Sequence, residues 1–318
     1  MRVTKDMLHP DLRPRYGMLN VMTRLMKRSW FRSVSQWVTN KSLDGKSIEG
    51  LDCEEVHVPS QDTQWQIRVR IYRPPGYSDP LPAMLYIHGG GYIIGSPETS
   101  HGLIERFINT RPCVVIAPDY RKAGTKPFPA GFNDCYDTLL WAKANADTLG
   151  IRADKFIVAG HSAGGGLTAA VTLKARDTQD LQIAFQMPIY PMIDDRQPDD
   201  PDRFIETPVW DAELNKIGWS AYLAQLHARG EEIPVYAAPA RNTDYSNFPP
   251  TISFVGDLEP FYWEDVDYAK ALEAAGVEIA FKVYEGCFHA FDMMGEGIAD
   301  EAKNFTYDQF AKFYDRYL

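Results

Sequence analysis

Apolar, β-branched runs bounded by proline or glycine recur along the chain, and after the first two they alternate with longer stretches of helical periodicity. The runs predict strands over 53–59, 66–73, 83–88, 113–118, 155–160, 182–188, 250–256 and 279–284. Two central runs, Ala83-Met84-Leu85-Tyr86-Ile87 and Lys155-Phe156-Ile157-Val158-Ala159, are nearly continuous rather than alternating. That pattern suits parallel strands covered on both faces. Helices are predicted over about 98–110, 131–148, 163–176, 262–275 and 299–316. The first two strands are joined through 59–63 with no helix between them, which predicts an antiparallel entry. The alternation that follows predicts an α/β fold, a mostly parallel eight-stranded sheet with helices on both faces.

Two stretches break this rhythm. Residues 1–48 carry helical, Met- and Trp-rich patterning before any strand, and 195–248 hold proline-rich loops around a helical segment from Ala212 to Arg229. Excursions of that length inside a compact domain usually serve as lids or binding elements. Together they are expected to form a helical cap over one edge of a single domain spanning 1–318.

Composition narrows the functional classes. A net charge of −10 argues against a nucleic-acid surface, which needs clustered Lys and Arg. The most basic stretch, Arg24 to Arg32, is interleaved with Met26, Trp30 and Phe31 and reads as an amphipathic helix. No apolar run approaches the ~20 residues that span a bilayer, so no stable membrane insertion is expected. The charged N-terminus lacks the apolar core of a secretory signal. Cysteines stand at 53, 113, 135 and 287 without CxxC or His/Cys ligand spacing, so neither a metal nor a disulfide framework is expected. A reducing, cytoplasmic setting fits.

The candidate chemistry lies on loops that follow strands. Gly160-His161-Ser162-Ala163-Gly164 directly follows the strand at 155–160 and directly precedes a helical run. This is the strand–turn–helix context of a nucleophile elbow. A serine perched on so tight a turn needs neighbours without a Cβ two residues to either side, and the helix behind it aims its amide dipoles at a developing oxyanion. His88-Gly89-Gly90-Gly91-Tyr92 follows the strand at 83–87. Its consecutive glycines leave backbone N–H groups free to approach a substrate oxygen. The expected oxyanion donors are the N–H groups of Gly90, Gly91 and Ala163, with Gly89 and Tyr92 next to the substrate. His88 reads as a brace for this loop.

These residues resemble the hormone-sensitive-lipase-like branch of the α/β-hydrolases. The resemblance covers about 83–295 and rests on the HGGG and GHSAGG elements. It extends to Asp119-Tyr120-Arg121, Pro127-Phe128-Pro129-Ala130, Tyr190-Pro191-Met192-Ile193-Asp194-Asp195 and Ala238-Pro239-Ala240-Arg241. It implies the α/β-hydrolase fold, a cap built from the two misfit stretches, and hydrolysis of short- to medium-chain carboxylic esters with no cofactor or metal. Family members often dimerise through the last strand, so a homodimer is a possible assembly. The chain departs from the family's usual Tyr-Arg-Leu-Ala-Pro-Glu at Tyr120-Arg121-Lys122-Ala123-Gly124-Thr125.

The triad order in this fold is Ser, acid, His. His289 follows the last predicted strand, where the base belongs. Two acids follow the strand at 250–256, Asp257 and Glu259. Family members usually place an Asp before Pro and Leu or Phe, and Glu259-Pro260-Phe261 holds that position. Glu259 is therefore the expected acid and Asp257 the alternative, otherwise a turn residue. Trp30, Phe31, Trp37, Trp210 and Trp219 are candidates to line the pocket, and Asp194 and Asp195 to position a loop beneath the cap. The expected activity is that of a serine carboxylesterase. A deacetylase or amidase acting on small acylated molecules would use the same residues. A small-molecule receptor on this fold, as in the similar plant gibberellin receptors, would lack the histidine.

Overall fold

The branched apolar runs pair into one sheet. In the computed structural model, which describes residues 1–61 and 64–318, the strands are β1 (Asp52–Pro59), β2 (Gln66–Arg73), β3 (Leu81–Ile87), β4 (Val114–Pro118), β5 (Ile151–His161), β6 (Ile183–Ile189), β7 (Thr251–Gly256) and β8 (Ile279–Tyr284). Their spatial order is β1-β2-β4-β3-β5-β6-β7-β8. β2 runs antiparallel to both of its neighbours, and every other pair is parallel. The expected antiparallel entry is present, although positions 62 and 63 of its connection lie outside the described residues. β3, β4 and β7 are buried at every position, as their unbroken apolar sequences require. β1, paired on one side only, is mostly exposed, with Cys53 and Val56 half-buried and Val58 buried.

Ten α-helices surround the sheet among the described residues: α1 (Tyr16–Met26), α2 (Ser29–Leu43), α3 (His101–Thr110), α4 (Ala130–Ala144), α5 (Ala146–Leu149), α6 (Ala163–Thr178), α7 (Ala212–Tyr222), α8 (Ala224–Arg229), α9 (Tyr262–Ala274) and α10 (Ile298–Tyr317). On one face Phe107 of α3 and Phe310 and Phe313 of α10 pack against Tyr86 and Phe185. On the other, Phe132 and Leu139 of α4 and Leu167 and Val171 of α6 meet Leu85, Ile87 and Val158. Tyr268 and Leu272 of α9 pack on Ala169 and Leu173 of α6.

The two misfit stretches touch each other. The Val3 and Glu206 backbones pair, with Val3 N–H donating to Glu206 O at 2.8 Å and Glu206 N–H to Met1 O at 2.8 Å. Val209 N–H donates to Thr23 Oγ1 at 2.8 Å, and Lys27 Nζ lies 2.7 Å from Asp211 Oδ2. The segment from Arg24 to Arg32 is not one helix. Arg28 takes an extended conformation that ends α1 and begins α2, while the neighbouring Lys27 turns to Asp211 and Glu213.

Candidate active site

The elbow forms where β5 meets α6. Ser162 is the N-cap of α6 and holds φ 59° and ψ −123°, a strained conformation for a residue with a side chain. The strain is held in place by backbone hydrogen bonds. Ser162 N–H donates to Ile189 O at 3.0 Å, and Ser162 O accepts from Gly166 N at 2.9 Å and Met192 N at 3.1 Å. The flanking glycines are sterically required. A Cβ on Gly160 would fall 2.6 Å from Ile87 O, and one on Gly164 would fall 2.7 Å from His88 O and nearer still to Ile87 O.

His289 stands on the loop after β8 and faces Ser162, with Nε2 2.8 Å from Ser162 Oγ. Its Nδ1 hydrogen-bonds Glu259 Oε2. The other carboxylate oxygen, Oε1, accepts from Gly256 N–H at 3.0 Å, so both oxygens are oriented. Glu259 is fully buried. The imidazole is fixed edge-on by Phe261 and Tyr190, each with a centroid separation of 4.9 Å. Asp257, the alternative acid, instead accepts from Gly286 N–H at 2.7 Å and stabilises the turn after β8. Burial raises its pKa.

The Gly90, Gly91 and Ala163 N–H groups donate to no acceptor among the described residues. Ala163 is the first residue of α6, where helix geometry leaves the amide unpaired. His88 behaves as a brace. It is buried, its Nδ1 lies 2.7 Å from Gly89 O, and its ring stacks on Tyr120 at 4.3 Å. Burial pushes its pKa down to about 3, so it stays neutral at physiological pH. The divergent loop at 121–125 is anchored by the buried ion pair of Arg121 with Asp134, at 2.7 Å.

A cavity of about 470 Å³ opens in front of Ser162 and His289. Its walls come from Gly89, Gly90 and Gly91, from Trp210, from Met293 and Met294 after His289, and from Met22, Met26 and Gln36 of the N-terminal helices. Tyr92 does not line it. At φ 65° its side chain turns behind the glycine loop, stacks on Tyr222 at 4.0 Å and donates to Met192 O at 2.7 Å. Of the five aromatic candidates only Trp210 reaches the cavity. Trp219 packs against Tyr92, and Trp30 and Trp37 point to solvent. Asp194 is tied to Arg196 and Arg203, and Asp195 to Arg241, away from the cavity.

Asp292 carries no distinguishing signal in the sequence. It is buried one turn past His289 and accepts from Tyr190 Oη at 3.0 Å. Burial raises its pKa to about 6. A raised carboxyl pKa leaves its stability contribution intact below the unfolded value near 3.8 and loses it as the pH climbs through about 6. Asp292→Asn keeps an acceptor for Tyr190 but cannot ionise. Its stability relative to the parent should rise between pH 4 and 7 by an amount on the order of 3 kcal/mol, and urea midpoints across that range measure the gain.

Among the described residues no cluster of His, Cys, Asp and Glu could hold a metal, and no helix is long and apolar enough to cross a membrane.

Residues 84–293 match a protein family described by the alpha/beta hydrolase fold. The chain is 32% identical over 216 residues to carboxylesterase NlhH of Mycobacterium tuberculosis, covering 67% of each protein. It is also 32% identical over 232 residues to an arylesterase of Saccharolobus solfataricus, covering 71% of this chain and 73% of the relative. Among solved structures, a bacterial heroin esterase superposes with a TM-score of 0.87 at 29% identity, covering 98% of this chain and 99% of the other. The chain belongs to the α/β-hydrolase family, in its hormone-sensitive-lipase-like branch. By class it is a carboxylic ester hydrolase.

Proposed function

We propose that this enzyme is a serine carboxylesterase that cleaves short- to medium-chain acyl esters through an acyl-enzyme. The single observation that carries the reading is the continuous hydrogen-bonded line from Ser162 Oγ through the His289 ring to Glu259. Ser162 Oγ attacks the acyl carbon as its proton passes to His289 Nε2, and Glu259 holds Nδ1–H and stabilises the imidazolium. The tetrahedral oxyanion accepts from the unpaired amides of Gly90, Gly91 and Ala163. Collapse expels the alcohol with the proton from His289, and water, deprotonated by the same ring, then releases the acid.

The chain-length reading rests on the cavity. A volume of about 470 Å³ sits toward the small end of ligand pockets and must house both acyl and alcohol halves. The N-terminal helices and the loop carrying Trp210 close it from above, in the manner of a cap. A series of p-nitrophenyl esters should show kcat/KM highest between acetate and hexanoate and at least about tenfold lower for palmitate. A maximum at palmitate would contradict the assignment. The buried, unpaired Cys113, Cys135 and Cys287 support a reducing compartment such as the cytoplasm.

A further inference from the structure

An ordinary surface helix turns its apolar stripe inward and its polar face to water. α2 does the reverse. Its inward positions include Ser35, Gln36 and Thr39, which line the cavity. Its outward stripe carries Trp30, Val34, Trp37 and Val38, with both tryptophans 61% exposed. Met18 and Val21 of α1, 62% and 54% exposed, add further apolar surface on the preceding helix. No neighbouring element covers this face among the described residues. Exposed apolar surface of this kind marks a site of interaction.

The charge around it names the partner. Between Asp11 and Asp44 the chain has seven Lys and Arg and no acid, although the protein as a whole carries a net charge of −10. Lys27 is taken up by Asp211 and Glu213. Arg28, the N-cap of α2, and Lys41 near its other end are exposed and enter no ion pair among the described residues. Lys41 Nζ lies 5.1 Å from the Trp37 ring, at the rim of the stripe. A second copy meeting this face symmetrically would set like charges against each other. Tryptophan and aliphatic groups flanked by free cations match the boundary of an anionic bilayer, where aromatic rings settle at headgroup level and basic residues meet lipid phosphates.

We infer that the outward face of α2, with the exposed end of α1, docks the enzyme reversibly onto anionic lipid surfaces. The helix lies in the interface plane and does not span the membrane, and its opposite face borders the cavity in front of Ser162. This inference goes beyond ester hydrolysis and does not depend on the serine mechanism.

Co-sedimentation of the full chain with vesicles of equal parts phosphatidylcholine and phosphatidylglycerol tests it. Binding is expected to these vesicles, to be much weaker with phosphatidylcholine alone, and to fall as salt is raised. The double variant Trp30→Ala/Trp37→Ala should lower the partition coefficient about tenfold or more. Arg28→Glu/Lys41→Glu should remove the preference for phosphatidylglycerol. Both variants should hydrolyse a water-soluble ester at the parent rate, which shows that the fold survives. Failure of the parent to bind the anionic vesicles would overturn the inference. So would equal binding by the variants, or a dimer in solution that the tryptophan variant dissociates while vesicle binding stays absent.

Discussion

Replacing Ser162 with alanine is expected to lower kcat for p-nitrophenyl butyrate roughly 10⁶-fold, to the level of the remaining amide donors and substrate positioning. The effect is local. Among the described residues the Oγ atom is the one nucleophile hydrogen-bonded to the His289 ring, at 2.8 Å, and its strained backbone places it at the cavity floor. Alanine leaves that backbone and its hydrogen bonds to Ile189 and Met192 unaltered. KM should therefore change little while kcat collapses. Rates measured at several ester concentrations, on protein passed through an inactivation check for contaminating esterase, give both constants.

The second large effect is expected at the acid. In Glu259→Gln the oxygen that accepts from Gly256 N–H stays in place, so the amide NH₂ is directed at His289 Nδ1. The ring then keeps its proton on Nε2 and cannot accept one from Ser162. The cost is a wrong tautomer in an intact geometry, worth roughly 10⁴-fold in kcat. Asp257→Asn preserves an acceptor for Gly286 N–H, and the ring's hydrogen bonds go to Glu259 and Ser162 instead, so its rate should stay within a few-fold of the parent. A collapse in the Asp257 variant with a normal Glu259 variant would reverse the assignment.

The sequence makes the sheet and the hydrogen-bonded line legible for the same physical reason. Buried parallel strands need unbroken apolar runs, and the chemistry sits in the few residues just past their ends. Ser162 and Glu259 follow such runs, and His289 follows the half-buried edge strand β8, which carries Lys282, so position just past a strand locates all three although they are far apart in the chain. What surrounds them depends on tertiary placement. Tyr92 adjoins the glycine loop in sequence, yet a positive φ carries its side chain behind the loop to Tyr222. Met22, Met26 and Gln36 reach the cavity only because Val3, Thr23 and Lys27 fasten the N-terminal helices to residues 206–213. Periodicity marks an apolar face on α2 but not which way it points. That orientation puts Trp30 and Trp37 in solvent instead of in the pocket. Asp292 gave no signal because a lone acid after a histidine is unremarkable until burial and Tyr190 give it an environment.

The nucleophile itself offers the most direct test. Brief exposure to an excess of a p-nitrophenyl phosphonate, which phosphonylates an activated serine and expels p-nitrophenol, should add one phosphonyl group per chain. Peptide mass spectrometry should place it on Ser162, and the Ser162→Ala protein should stay unmodified. Full activity with no adduct, or an adduct on another residue that accounts for the inactivation, would contradict Ser162 as the nucleophile.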